Sequence, residues 1–278
     1  MNIGIVGLGL IGGSMARSIT GRTSHTVWGA DRDPDVLAMA KMTGVIRGEL
    51  TDEVIPCCDL VLLAVRPGAA IAWTEEHAGL LSHGAVLVDL CGVKRVPVAA
   101  ITPLAERYGF RYVGGHPMAG KEVAGFANSS PHLYEGASMI LTPDASADLP
   151  LLEMLRDFFY SLGFARMTFT TPEVHDRVIA YTSQLAHLTS SAYVKSPDAL
   201  RQAGFSAGSF RDMTRVAKLD EDMWTELFLD NADYLLEQAD LLAAHLDEYR
   251  EALRSRDAER LHALLKEGRE IRESAGGR

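Results

Sequence analysis

Four clusters of side chains in this sequence have the types and spacing for chemistry. His116 sits in Gly114-Gly115-His116-Pro117, where the proline biases it towards an extended backbone. The glycine pair is expected to leave the chain open just after the strand-like run Arg111 to Val113. An imidazole there suits a general base, since its ordinary pKa of about 6.5 leaves it neutral near neutral pH. Gln184 and His187 are three apart, so a helix places them on one face, with Ser183, Ser190 and Ser191 nearby; a solvated face would look the same. The segment Ser209 to Arg215 holds Arg211 and Arg215, and a guanidinium fork grips a carboxylate, although either could instead pair with Asp212 or Asp220. The loop Asp89 to Lys94 follows a strand and could reach both a cofactor and a substrate. Cys91 within it reads as a small packing residue rather than a reactive thiol. His175 and Asp176, at a helix start, are expected to cap it or be solvated.

The elements that must position these groups begin at the first residues, MNIGIVGLGLIGGS. Asn2 to Val6 is a short apolar strand, and Gly7, Gly9 and Gly12 then give G-x-G-x-x-G before a helix. This spacing supplies a tight turn, a close backbone approach for a pyrophosphate and close helix–strand packing, with the helix N-terminus facing the phosphates. Asp31, about 20 residues beyond the last glycine, ends a second strand (Thr26 to Ala30) and can accept from an adenosine ribose. That acid favours NAD over NADP, while Arg32 beside it could accommodate a phosphate or stack on adenine. Leu10 and Ile11 at the helix start, and Val65, Pro67 and Cys91 at later strand ends, are expected to complete the cofactor site. An ordinary βαβ turn without ligand is the alternative.

Strand and helix signals alternate to about residue 170. Asp59 to Val65 and Ala85 to Asp89 are apolar runs of the kind buried on both faces of a parallel sheet. Further strands are expected at Ser138 to Leu141 and Arg166 to Phe169, with a helix at Leu149 to Leu162 between them. Thr171-Pro172-Glu173 then starts a helix, and helical periodicity dominates to the end. One apolar stripe runs through Val174, Val178, Tyr181, Leu185 and Leu188; a longer one, read as a single helix, runs from Trp224 to Leu253. The expected fold is an α/β Rossmann-like dinucleotide-binding domain at 1–170 followed by an all-helical domain at 171–278. The long helix needs a cover, which points to a homodimer through the second domain.

Composition narrows the partners. The 27 basic against 37 acidic residues give a net charge of −10, which disfavours nucleic acid and anionic membranes but not a small anionic substrate held by one or two cations. No apolar run approaches a membrane span, the first strand leaves no room for a signal peptide, and three cysteines make neither a disulfide framework nor a zinc site. A cytoplasmic protein without a metal is expected.

Several of these motifs are collinear with those of one family. Val6 to Ser14, Asp31, Gly114-Gly-His-Pro-Met-Ala-Gly120, Tyr134-Glu-Gly, Pro172-Glu-x-His-Asp176, Phe210-Arg-Asp-Met-Thr-Arg215 and Met223-Trp224 followed by Asn231 resemble the prephenate/arogenate dehydrogenases of tyrosine biosynthesis. The resemblance runs from Met1 to about Asn231 and implies oxidative decarboxylation of a cyclohexadienol with hydride transfer to NAD. It further implies that His116 is hydrogen-bonded to the ring hydroxyl, that Arg215 holds a substrate carboxylate, that Glu122 lies near the cleft mouth and that His187 lines the substrate pocket. Two positions depart from the family pattern. Gly92, at the substrate side, stands where many members have a serine that partners the histidine, and Gln184 stands where many have a histidine. An appended regulatory or chorismate mutase domain is not expected. Two rival readings remain at this level. One is another small-acid dehydrogenase or reductase of the same architecture, which would need a catalytic lysine such as Lys195 or Lys218. The other is a non-catalytic, NAD-sensing regulator.

Overall fold

The computed structural model describes residues 1–275. The chain divides into two compact units, Met1–Asn231 and Ala232–Arg278. In the first unit, β1 (Asn2–Val6), α1 (Leu10–Arg22), β2 (Thr26–Ala30), α2 (Pro34–Met42) and β3 (Gly48–Glu49) are followed by β4 (Leu60–Leu63), α3 (Pro67–His77), β5 (Val86–Asp89) and α4 (Arg95–Tyr108). Then come β6 (Arg111–Met118), β7 (Ser138–Thr142), α5 (Leu149–Ser161) and β8 (Arg166–Phe169). The eight strands lie in the order β3-β2-β1-β4-β5-β6-β7-β8. All neighbours are parallel except β6 and β7.

The apolar strands are buried on both faces, as their near-continuous hydrophobic composition requires. Ile3, Ile5, Leu60, Leu62, Val86 and Val88 pack with Met15 and Ile19 of α1 and Leu155 and Phe159 of α5. The alternate residues Val6, Val61, Leu63, Leu87 and Tyr112 pack with Ala70 of α3 and Ile101 and Ala105 of α4.

The expected open segment after Val113 is instead strand. β6 pairs with β5 only as far as Gly114, and Gly115 to Met118 continue past it, paired on the other side to β7 with His116 opposite Ile140. Pro117 is tolerated because this stretch is an edge on the β5 side, where its missing N–H breaks no ladder bond. The two glycines serve packing rather than looseness. A Cβ on Gly114 would lie 2.4 Å from Thr142 Oγ1 and 3.2 Å from Lys94 Cδ, and one on Gly115 would lie 2.8 Å from the Asp89 carbonyl oxygen.

Among the described residues helices alone follow Phe169. α6 (Pro172–Ile179) is capped by Thr171, whose hydroxyl accepts from Val174 N at 3.3 Å, and passes through a π-turn at Ala180–Gln184 into α7 (Leu185–Tyr193). α8 (Gly208–Thr214) leads by a 3₁₀ turn at Arg215–Ala217 to α9 (Glu221–Asp230). The first apolar stripe faces the core only in its second half, where Leu185 is buried and Leu188 partly so. Val174, Val178 and Tyr181 are exposed, whereas His175, Asp176, Ile179, Ala180 and Gln184 are buried. The second stripe is not one helix either, because the chain breaks at the buried Asn231 between α9 and α10 (Ala232–Ser255).

In the second unit α10 and α11 (Ala258–Ser274) form a helical hairpin, with Tyr249 hydroxyl donating to the Leu264 carbonyl at 3.1 Å. Leu235, Ala252 and Leu264 are buried, while Leu236, Leu241, Leu246 and Leu253 are exposed. Among the described residues no helix is long and apolar enough to cross a membrane.

Candidate active site

The first glycine turn builds one half of the site. Gly7 has φ +84°, a left-handed conformation that a side chain would strain, and its N–H donates to the Ala30 carbonyl at 2.7 Å. Gly12 lets α1 lie on this turn, since a Cβ there would sit 1.8 Å from the Gly7 carbonyl oxygen. A Cβ on Gly9 would meet nothing within 4 Å, so the approach to the helix start is open. The N-cap of α1 is Gly9 itself, which offers no side-chain acceptor, and the first-turn N–H groups at Leu10 and Ile11 face a ligand or solvent. Beside this turn lies a cleft of about 460 Å³ whose walls include Gly7, Gly9, Asp31, Arg32, Val65 and Trp73. The carboxylate of Asp31 accepts from Leu8 N at 2.7 Å and Asp33 N at 3.0 Å, one bond to each oxygen. Each oxygen retains acceptor capacity for a ribose hydroxyl. These residues fit a dinucleotide.

The far wall of the cleft is tied to α9. Glu226 accepts from Gly68 N at 2.6 Å and lies 3.8 Å from Arg66 Nε, so it caps the start of α3, where Pro67 is the first helical residue. Cys91 is buried beneath this wall, with its thiol 3.5 Å from the Val65 carbonyl oxygen. Burial and the nearby Asp89 hold that thiol well above its ordinary pKa, so it stays protonated.

The other half of the site is built on β6. His116 is half-buried, and its Nδ1 lies 2.9 Å from Nε2 of His175. His175 Nδ1 in turn lies 2.7 Å from Asp176 Oδ1. Asp176 also accepts from Lys94 N at 2.7 Å, Arg95 N at 2.9 Å and Arg95 Nε at 3.3 Å, which makes it the cap of α4. His175 and Asp176 are thus buried at 2% and 0%, not solvated; Asp176 caps α4 rather than its own helix, and His175 links it to His116. Their spacing to Ile179 and Ala180, four residues on, carried the signal of a buried face. Burial would raise the Asp176 pKa, but the hydrogen bonds from His175, Arg95 and Lys94 outweigh it and hold the carboxylate ionised.

Below them is a second buried pair that sequence reasoning missed. Lys94 Nζ contacts Asp89 Oδ1 and the Gly115 carbonyl oxygen, and the Tyr112 hydroxyl donates to Asp89 Oδ2 at 2.6 Å. Both members of the pair are fully buried, and the bare edge of Gly114 is what admits the lysine stem. Burial first, then His175 and Lys94, push the His116 pKa well below 6.5, so the imidazole is neutral over a wider range than its ordinary value suggests. His175 is lowered as well, chiefly by burial, with Asp176 opposing.

The remaining expected site residues fall into two groups. His187 stacks on Trp224 with centroids 3.8 Å apart, and its Nδ1 lies 2.9 Å from the Ser183 carbonyl oxygen, which leaves Nε2 available. Burial lowers its pKa, and Arg215 adds to this. Arg215 is exposed and paired with Glu122, rather than with Asp212 or Asp220. Gln184 is buried at 2%; its amide donates to the Leu227 carbonyl at 2.9 Å and accepts from Asn231 Nδ2 at 2.7 Å. Asn231 also meets the Asp176 carbonyl and Arg95, so the break between α9 and α10 braces the histidine pair. Gly92 offers no hydroxyl, and a Cβ there would lie 3.3 Å from Leu227 Cδ2. No group of three metal-ligating side chains occurs among the described residues.

Residues 15–167 match the family described as prephenate dehydrogenase, nucleotide-binding domain, and residues 171–267 match prephenate dehydrogenase, dimerization domain. This chain belongs to the prephenate dehydrogenase family. It is 31% identical over 282 residues to the cyclohexadienyl dehydrogenase of Zymomonas mobilis, covering 98% of this chain and 94% of the relative. It is 30% identical over 280 residues to the prephenate dehydrogenase of Bacillus subtilis, covering 97% and 74%. Among solved structures, prephenate dehydrogenase from A. aeolicus in complex with hydroxyphenyl propionate and NAD+ superposes with a TM-score of 0.87 at 29% identity, covering 99% of this chain and 98% of that one. The two family matches meet between residues 167 and 171, where helices alone take over, while the two compact units divide at Asn231.

Proposed function

We propose that His116 is the hydrogen-bond acceptor for the ring hydroxyl in the oxidative decarboxylation of prephenate or arogenate. The chain is an NAD-dependent oxidoreductase of the prephenate/arogenate dehydrogenase family. The observation that carries the assignment of His116 is its place on a strand end beyond β5, held there by His175 at 2.9 Å, where burial lowers its pKa and favours the neutral imidazole. Bound NAD supplies the hydride acceptor. Gly7, Gly9 and the first turn of α1 hold its pyrophosphate and Asp31 its ribose. His116 draws on the hydroxyl proton and so stabilises the positive charge that develops on that oxygen. His116 takes that proton as the carbon bearing the hydroxyl is oxidised. Loss of carbon dioxide from the opposite ring carbon returns the electron pair to the ring, and the proton goes back from His116 to the phenolic oxygen. Aromatisation drives the step, so the protein need only orient, polarise and shield. General-base help of this kind contributes roughly 10²–10⁴-fold.

Arg215 is assigned to a substrate carboxylate, exchanging its exposed partner Glu122 for the ligand, and His187 on Trp224 lines the same pocket. Gln184 acts from behind, bracing Asn231. A second copy of the chain is the expected cover for the exposed Val174, Val178 and Tyr181 and for the exposed leucines of α10; this homodimer accords with the family description of the C-terminal match. The test is a two-by-two assay of prephenate or arogenate with NAD or NADP, followed by nicotinamide absorbance. Turnover of at least one cyclohexadienol with NAD is expected; turnover of neither would overturn the reading.

A further inference from the structure

We infer that His175 and Asp176 are positioning residues that hold His116 in one tautomer, with Nδ1 protonated and Nε2 bare and ready to accept. This deepens the reading of His116 given above and rests on it. The Asp176 carboxylate can only accept, so the 2.7 Å contact requires the proton to be on His175 Nδ1. The His175 side chain is fully buried and Lys94 lies close by, which disfavours a second proton on its ring. A neutral His175 with Nδ1 protonated has a bare Nε2. The 2.9 Å contact to His116 Nδ1 then requires that nitrogen to donate. Neutral His116 has one ring proton, so its Nε2 carries none and is an acceptor.

The far end of the chain is fixed. Asp176 takes four hydrogen bonds, two of them from the backbone at the start of α4, and so fills its acceptor sites. This matters for this sequence because position 92 is glycine, with the Leu227 side chain beside it, and supplies no hydroxyl to orient His116. The wrong tautomer would present an N–H to the substrate hydroxyl and could not take its proton. The same logic makes the orienting carboxylate of a serine-hydrolase triad worth several powers of ten in rate.

The test joins a spectrum to kinetics. In the wild-type protein without ligands, ¹⁵N–¹H correlation of the histidine rings at pH 8 should show His116 protonated at Nδ1 and unprotonated at Nε2. A His116 ring protonated at Nε2 would overturn the inference, and this arm needs no variant to fold. His175→Leu removes the acceptor with little change of volume. It should lower kcat by about 10- to 100-fold, as outer partners of catalytic groups typically do, with KM within about threefold. His175→Gln restores an acceptor near the Nε2 position and should recover most of that loss, which a purely structural role would not produce. Wild-type kcat in His175→Leu would also overturn the inference. His116→Asn separates the two levels: if it retains turnover, the assignment of His116 itself fails, whereas if only His175→Leu retains turnover, the tautomer lock fails alone.

Discussion

Gly9 and Gly12 lie three residues apart in one turn, yet the structure gives alanine opposite consequences at the two positions. At Gly12 a Cβ would sit 1.8 Å from the Gly7 carbonyl oxygen and 2.9 Å from Ala64 Cβ, against an ordinary contact of 3.4–4 Å. Backbone must therefore separate by about 1.6 Å, the shortfall from 3.4 Å. Neither neighbour is the end of a flexible side chain, so the cost falls at the upper end of overpacking, about 3 kcal/mol, or roughly 6–12 °C in Tm. At Gly9 the backbone has φ −65° and a Cβ meets nothing within 4 Å, so the fold should tolerate alanine within about 0.5 kcal/mol. What the Gly9 methyl does occupy is the approach to the first turn of α1. Keeping the pyrophosphate from one charge-assisted hydrogen bond loses about 1.5–3 kcal/mol, or roughly 10- to 150-fold in Kd for NAD. Calorimetric titration with NAD and a thermal melt on both variants separate the effects. Gly9→Ala with wild-type affinity for NAD would refute the placement of the dinucleotide on this turn.

Three further outcomes follow from the same geometry. Asp31→Ser removes the charge that opposes a 2′-phosphate and should shift the ratio of kcat/KM towards NADP, with Arg32 left to meet the phosphate; an unchanged ratio would argue against a ribose contact at Asp31. Arg215→Ala should raise substrate KM by roughly tenfold or more, the loss of one charge-assisted hydrogen bond, while the NAD Kd stays the same. Its exposed pair with Glu122 makes little difference to the fold, so a large drop in Tm would return Arg215 to a structural role. For pH, the groups facing His116 are His175 and Lys94, and those facing His175 are Asp176, Lys94 and Asp89. Protonation of His116 destroys the acceptor, so kcat should hold through 6.5 and fall only well below it; a limb centred at or above 6.5 would contradict the burial argument. Stability follows the same sign. The unfolded chain gains protons on these two histidines near 6.5 and the folded chain only lower, so their contribution is complete above 6.5 and lost as pH falls from there.

Much of the first unit was legible because each signal was local. Strands buried on both faces announce themselves as unbroken apolar runs, and a glycine turn followed at the right distance by Asp31 has few other uses. The errors share a different origin. Gly114 and Gly115 read as an opening of the chain after Val113, and nothing in the sequence says that β5 stops at Asp89 and leaves β6 an edge where Pro117 is harmless. His175 and Asp176 look like polar residues at a helix start, but their partners lie 59 residues away at His116 and about 80 away at Lys94 and Arg95. The stripe from Trp224 to Leu253 keeps its period across Asn231, whose side chain is claimed by Asp176, Gln184 and Arg95. The stripe Val174, Val178, Tyr181 is apolar as read, yet a monomer leaves it in solvent. Long-range hydrogen bonds have no period, so pattern reading passes over them.

The most direct test of the account is the pH profile of kcat for the wild-type protein beside His116→Asn. Asparagine preserves a polar side chain at the strand end but cannot take the hydroxyl proton. Turnover should fall by roughly 10²–10⁴-fold, with NAD still bound and the acidic limb abolished. Near-normal turnover in His116→Asn, with the limb retained, would remove His116 from the chemistry and leave His187 as the next histidine to consider.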